Sequence, residues 1–207
     1  MPSAEQILEN LQTISNNLQS LAIFWHLFFG LLIFMLAAGV RPSTRTAAFL
    51  LGLPVLCVGI VAWLSANPFN GTLFCLLGTA IMFLAFKLEK YPVQFASKQY
   101  LVPGVLLFIF GWVYPHFLQT ASWLTYLFAA PVGIIPCPTL SIAIGLILIL
   151  DGLGSRALCI ALSIAGIFYG VTGLVQLQVR IDGVLLVGAI ITLIYAFSRK
   201  LPYTDAR

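Results

Sequence analysis

Long apolar runs separated by short polar breaks recur along almost the whole chain. Each run is continuous rather than alternating, so it reads as a helix in lipid and not as a barrel strand. A spanning helix needs roughly 17–25 mostly apolar residues, because the hydrocarbon is about 30 Å thick and each residue rises about 1.5 Å. The runs place spans near 20–40, 46–65, 69–87, 99–118, 139–153, 156–177 and 181–198. The fifth is short, and either begins earlier or starts in a dip of the protein surface. Open strands are excluded, since backbone groups in lipid must pair within the segment or in a closed barrel. The predicted fold class is therefore all-α, a polytopic membrane helix bundle of about seven transmembrane helices.

Residues 1–19 have a different pattern. Ile7, Leu11, Ile14, Leu18 and Leu21 recur at steps of four and three, one helical face, while Glu5, Glu9, Gln12 and Asn16 fall mostly elsewhere. Ser3 three residues before Gln6 fits a capping box. An amphipathic helix on the membrane surface is expected, either as a lead-in to the first span or as a docking helix for a partner. Lacking Lys and Arg, it is a poor ligand for anionic lipid. Beyond the first span, the other six pair into three hairpins, with turns at 66–71, 119–138 and 180–183 on one side. Gly166, Gly170 and Gly173 form a small-residue face for close helix packing.

Composition agrees with this pattern. The chain is 61% hydrophobic and 8% charged, with mean hydropathy +1.06, against about 45–50% apolar and about 25% charged in soluble proteins. Net charge is +4. The cations lie between apolar runs and form no dense patch, which excludes nucleic acid as a partner and makes the bilayer the expected one. Arg41, Arg45, Lys87, Lys90, Lys98, Arg156, Arg199, Lys200 and Arg207 fall on one side, and only Arg180 on the other. By the positive-inside rule the N-terminus is outside, the C-terminus inside, and 199–207 is a cytoplasmic tail. The acidic segment before the first apolar run, with Glu5 and Glu9, argues against a cleaved signal peptide.

Candidate chemistry is confined to the outer side. Three prolines and a glycine in 129–139 forbid a regular helix, yet the segment is almost wholly apolar, so it must be buried in protein. Cys137 stands where the free N–H groups of the next helix begin, which favours a thiolate if the thiol is accessible. Helical rise puts His26 about 9 Å below the outer end of the first span. Cys75, His116 and Tyr114 share the outer third, and Asn67 lies near them. Imidazole and thiolate suit soft or borderline metals, so a metal or haem site is one reading of these residues. The other makes them interfacial or hydrogen-bonded core groups. Neither a metal nor a cofactor is specified. Cys57, Cys75, Cys137 and Cys159 form no CxxC pair.

Glu89, Asp151, Asp182 and Asp205 all read as residues of connections or tails. No carboxylate is then expected within the membrane, which counts against proton-driven transport. Asp151 is expected to pair with Arg156. No phosphate loop or nucleophile elbow is present, and no enzyme is expected. Asn70-Gly71-Thr72 matches a glycosylation sequon but lies close to the membrane, and it matters only in a eukaryotic lumen.

The Ala4-Glu5-Gln6-Ile7-Leu8 helix, Asn67-Pro68, Tyr114-Pro115 and above all Pro136-Cys137-Pro138-Thr139 resemble a bacterial multi-pass family, domain-of-unknown-function family 6064. The likeness covers most of the chain. The resemblance implies a multi-pass protein of the bacterial inner (plasma) membrane and implies no activity. The Gly-His pair that precedes the Pro-Cys-Pro-Thr stretch in that family has no counterpart here.

Two functions follow as expectations. The first is binding or passage of a small ligand or ion at an outer site around Pro136-Cys137-Pro138-Thr139, drawing on Cys137, His116, His26, Tyr114 and Thr139. The second is an accessory or scaffolding subunit of a larger membrane complex, docked through residues 1–18.

Overall fold

The computed structural model describes residues 3–198 and is helical, with no strand among them. The tail at 199–207, with Arg199, Lys200 and Arg207, lies outside the described residues. Helix α1 is Ala4–Asn17, α2 Gln19–Ala37, α3 Thr44–Leu64, α4 Pro68–Lys87 and α5 Lys98–Val113. A short α6 at Tyr126–Ala129 precedes α7 (Pro136–Ile149), α8 (Arg156–Val171) and α9 (Asp182–Ser198). Helices α2, α3 and α4, and α8 with the π turn that follows it, are long and apolar enough to cross a membrane; α5, α7 and α9 are apolar but shorter.

Local chemistry sets the helix ends. The Ser3 hydroxyl accepts from the Gln6 N–H and the Gln6 side chain accepts from the Ser3 N–H, which closes the capping box. Ser43 caps α3, Asn67 caps α4 with Pro68 behind it, and Ser155 caps α8. Helix α5 stops at Val113, five residues before the predicted end, because Pro115 forces Tyr114 out of helical geometry.

Helix pairs α3/α4, α5/α7 and α8/α9 pack most closely, and glycines allow it. A Cβ on Gly59 would stand 2.6 Å from the Cys75 nitrogen, and one on Gly170 2.8 Å from the Leu186 Cβ. Helix α7 is the centre. All fourteen of its residues are buried, and it touches α3, α5, α8 and α9. A helix apolar on every side belongs inside a bundle, which is why the fifth apolar run can be short.

The turns between α2 and α3, α4 and α5, and α7 and α8 gather at one end. The Thr44 N–H donates to the Tyr91 carbonyl, the Arg45 guanidinium to the Leu88 carbonyl, and the Ala96 N–H to the Ile149 carbonyl. Arg41 lies 4.1 Å over the Phe95 ring. Asp151 accepts from the Tyr195 hydroxyl at 3.2 Å. It forms no ion pair with Arg156 among the described residues, contrary to the sequence expectation; the positive-φ turn at Asp151, Gly152 and Leu153 directs its carboxylate toward α9 instead.

Helix α1 lies at the opposite end and spends its apolar face on its own chain. Leu11 and Ser15 are buried. Asn16 donates to the Phe117 carbonyl at 3.1 Å and accepts from the Gln119 N–H at 3.0 Å, which moors α1 to the loop after α5.

Candidate functional site

The site is built at the α1 end, where α5 stops, α7 starts and α9 starts. Asp182 is its centre. Sequence reading placed Asp182 in a solvated connection; the structure instead buries it to 1% exposure as the first residue of α9. The reversal comes from the α8–α9 turn. Helix α8 loosens into a π turn at Thr172–Gln176, and Gln178 takes a positive φ of 55°. The Val179 N–H donates to the Gly173 carbonyl at 2.8 Å, and the Asp182 N–H to the Val179 carbonyl at 3.0 Å. The chain is thereby drawn inward. A Cβ on Gly173 would overlap the Asp182 carboxylate, so glycine is what lets the acid sit there.

Tyr114 and Cys137 complete the cluster. The Tyr114 hydroxyl donates to Asp182 Oδ1 at 2.6 Å, and the Cys137 thiol to Oδ2 at 3.3 Å. Tyr114 is fully buried and Cys137 is 8% exposed. Pro115 ends α5 so that Tyr114 turns inward, and its ring stacks on Phe117 at 6.0 Å and 14°. Pro136, in the first turn of α7, sets Cys137 at the helix start. A carboxylate only accepts hydrogen bonds, so two uncharged donors can satisfy one oxygen each. Neither donor neutralises its charge. Among the described residues, no Lys, Arg or His lies within ion-pair distance of Asp182, and Arg180, two residues away, is exposed.

Thr139 acts on the loop rather than on the cluster. Its hydroxyl accepts from the Gly133 N–H at 2.8 Å and donates to the Ile135 carbonyl at 2.7 Å. Gly133 needs its positive φ of 71°, and the Trp25 ring lies directly against it. Removing the hydroxyl strands the buried Gly133 donor. Thr139→Val is expected to lower stability by about 1–3 kcal/mol, and Thr139→Ser to retain most of it, in chemical unfolding of the detergent-extracted protein.

The two histidines stand apart from this cluster. His26 is 4% exposed, with Nδ1 2.8 Å from the Ala22 carbonyl and Nε2 3.0 Å from the Trp112 carbonyl, so neither nitrogen is open to a metal. His116 is half-buried, its ring edge-on to Phe117 with the ring centroids 4.3 Å apart. Cys75 is packed against Gly59 in the α3/α4 seam. The described residues hold no group of three or more His, Cys, Asp or Glu side chains placed for a metal. Shared depth therefore did not mean contact. The burial of Cys137 also removes the access on which an activated thiolate depends.

Asn70, the sequon residue, accepts from the Tyr169 hydroxyl at 2.8 Å and is part-buried between α4 and α8. A groove of about 760 Å³ runs between α2 and α3, lined by apolar groups such as Leu21, Phe24, Ile60 and Leu64, and does not reach Asp182. The buried Trp25 indole N–H beside it has no hydrogen-bond partner among the described residues. The one signal that could have found Asp182 is an acid opening the last apolar run, nine residues after a glycine, where a helix N-terminus favours negative charge. Compared with known protein families, curated proteins and solved structures, the chain matches none.

Proposed function

We propose that this chain is a multi-pass protein of the bacterial inner membrane with seven spans, N-terminus outside, that binds a small ion or ligand on its outer side at Tyr114, Cys137 and Asp182. One observation carries the site: a carboxylate buried to 1% exposure, held by two uncharged donors and facing no cation among the described residues. Ionisable groups are costly within a membrane bundle and are kept where they bind or move something. Gathering of the cationic turns at the end opposite Asp182 supports the orientation, because Arg180 is the one Lys or Arg among the described residues on the Asp182 side. The role is binding rather than catalysis. The mooring of α1 to its own chain supports this reading over a docking subunit.

The test is thermal unfolding of the full-length, detergent-extracted protein in Li⁺, Na⁺, K⁺ and choline salts and in acidic and alkaline buffers. Wild type is expected to respond to one of these variables, and Asp182→Asn to lose that response. Cys137→Ala alters it, whereas Cys159→Ser, buried at the other end against the Gly152 carbonyl, leaves it as in wild type. Equal responses in wild type and Asp182→Asn contradict the site.

A further inference from the structure

The ligand class can be read from what surrounds the carboxylate, resting on the site reading above. A bound metal cation needs several oxygen ligands around it. Asp182 offers the cluster's only carboxylate; Tyr114 and Cys137 each bond one of its oxygens, and Gly173 lies against it. The apolar groove does not reach it. A proton needs no such shell.

We propose that Asp182 is a proton-operated clamp: as a carboxylate it holds Tyr114 and Cys137 together, and on taking up a proton it loosens its hold on both. The proton comes from bulk water at the α8–α9 turn, where Gln178 and Arg180 are exposed, and adds to one carboxylate oxygen. That oxygen then carries an O–H and keeps acceptor capacity, but the acid is neutral. The ties from Tyr114 and Cys137 to α9 thereby fall from charge-assisted to neutral hydrogen bonds, roughly half as strong. The weaker tie is to the thiol; the tie with consequences is to Tyr114.

A connected set of contacts leads outward from Tyr114. Its ring stacks on Phe117, and the Phe117 carbonyl and Gln119 N–H hold Asn16 of α1. Weakening of the Tyr114 tie therefore loosens the mooring of α1. The other titratable groups near the cluster are few. Tyr169, one turn before Gly173 on α8, is committed to Asn70; Arg180 is exposed; and His116 packs on Phe117. Because a histidine is the usual proton switch near neutral pH, His116 must be tested against Asp182.

Hydrogen exchange of the full-length protein, corrected for intrinsic rates, at a mildly acidic and a mildly alkaline pH tests the clamp. In wild type the Gln119 amide and the α1 amides exchange about tenfold faster at the acidic pH, the factor expected when a charge-assisted tie becomes a neutral one. Asp182→Asn, neutral at every pH, exchanges fast in both buffers, and His116→Gln keeps the wild-type step. If Asp182→Asn does not fold, Tyr114→Phe serves instead and is expected to show no pH step. A pH step that survives in Asp182→Asn or Tyr114→Phe, or that disappears in His116→Gln, overturns the clamp. So does a wild-type protein indifferent to pH; if it responds instead to Na⁺ or K⁺ through Asp182, the binding site stands and the proton does not.

Discussion

Asp182→Ala is expected to be the most damaging single change in the cluster, lowering unfolding free energy by about 2–4 kcal/mol, because it strands two buried donors at once. The Tyr114 hydroxyl and the Cys137 thiol each have Asp182 as their acceptor, and both lie where water does not reach. Removal of a buried, desolvated charge offsets part of this loss. Tyr114→Phe follows at about 1.5–3 kcal/mol, the range for a hydrogen bond to a charged group. Cys137→Ser, which keeps a donor in place, costs least. The order is checked by chemical unfolding in detergent, and the double variant Asp182→Ala, Tyr114→Phe is expected to fall short of the sum of the singles, since the two residues share one bond. Additive losses would mean that the bond contributes nothing.

Gly145→Leu is expected to abolish folding. Gly145 lies where α7 meets α5 backbone to backbone. A Cβ there would stand 2.7 Å from the Phe108 nitrogen and 2.8 Å from the Gly104 carbonyl oxygen. Neither is a flexible side-chain end that can move aside. Even Gly145→Ala forces the seam apart and costs about 1–3 kcal/mol, the range for overpacking. Gly30 provides the contrast, because its Cβ would meet only the Trp112 ring at an ordinary 3.5 Å. Gly30→Ala is therefore neutral, or gains up to about 1 kcal/mol of helix propensity. Folded yield after gentle extraction separates the three variants, and normal yield of Gly145→Leu would overturn the assignment of α7 as a closely packed centre.

The parts of this fold legible in sequence are those set by short-range chemistry. The Ser3/Gln6 capping box follows from three-residue spacing alone, and apolar period and run length locate the helices. Pro136 and Gly133 mark a loop that no helix can cross, and Thr139, two residues after Cys137, is the residue that pins it. The illegible parts depend on tertiary placement. Asp182 follows Arg180 and precedes Gly183, which reads locally as a polar turn; only the π turn and the left-handed Gln178 bring it inside. His26 and His116 share a depth with Cys137 but face other directions, and depth along a helix carries no information about azimuth within a bundle. Tyr114 shares that depth too, and it belongs to the cluster through an acid more than sixty residues later in the chain.

Infrared difference spectroscopy of the full-length protein tests the central claim most directly, with spectra recorded between alkaline and acidic buffer for wild type and Asp182→Asn. Uptake by a buried acid produces a protonated carboxyl C=O stretch on acidification in wild type, together with a perturbed tyrosine C–O band, and both are expected to be missing in Asp182→Asn. Identical difference spectra from the two proteins would contradict the account.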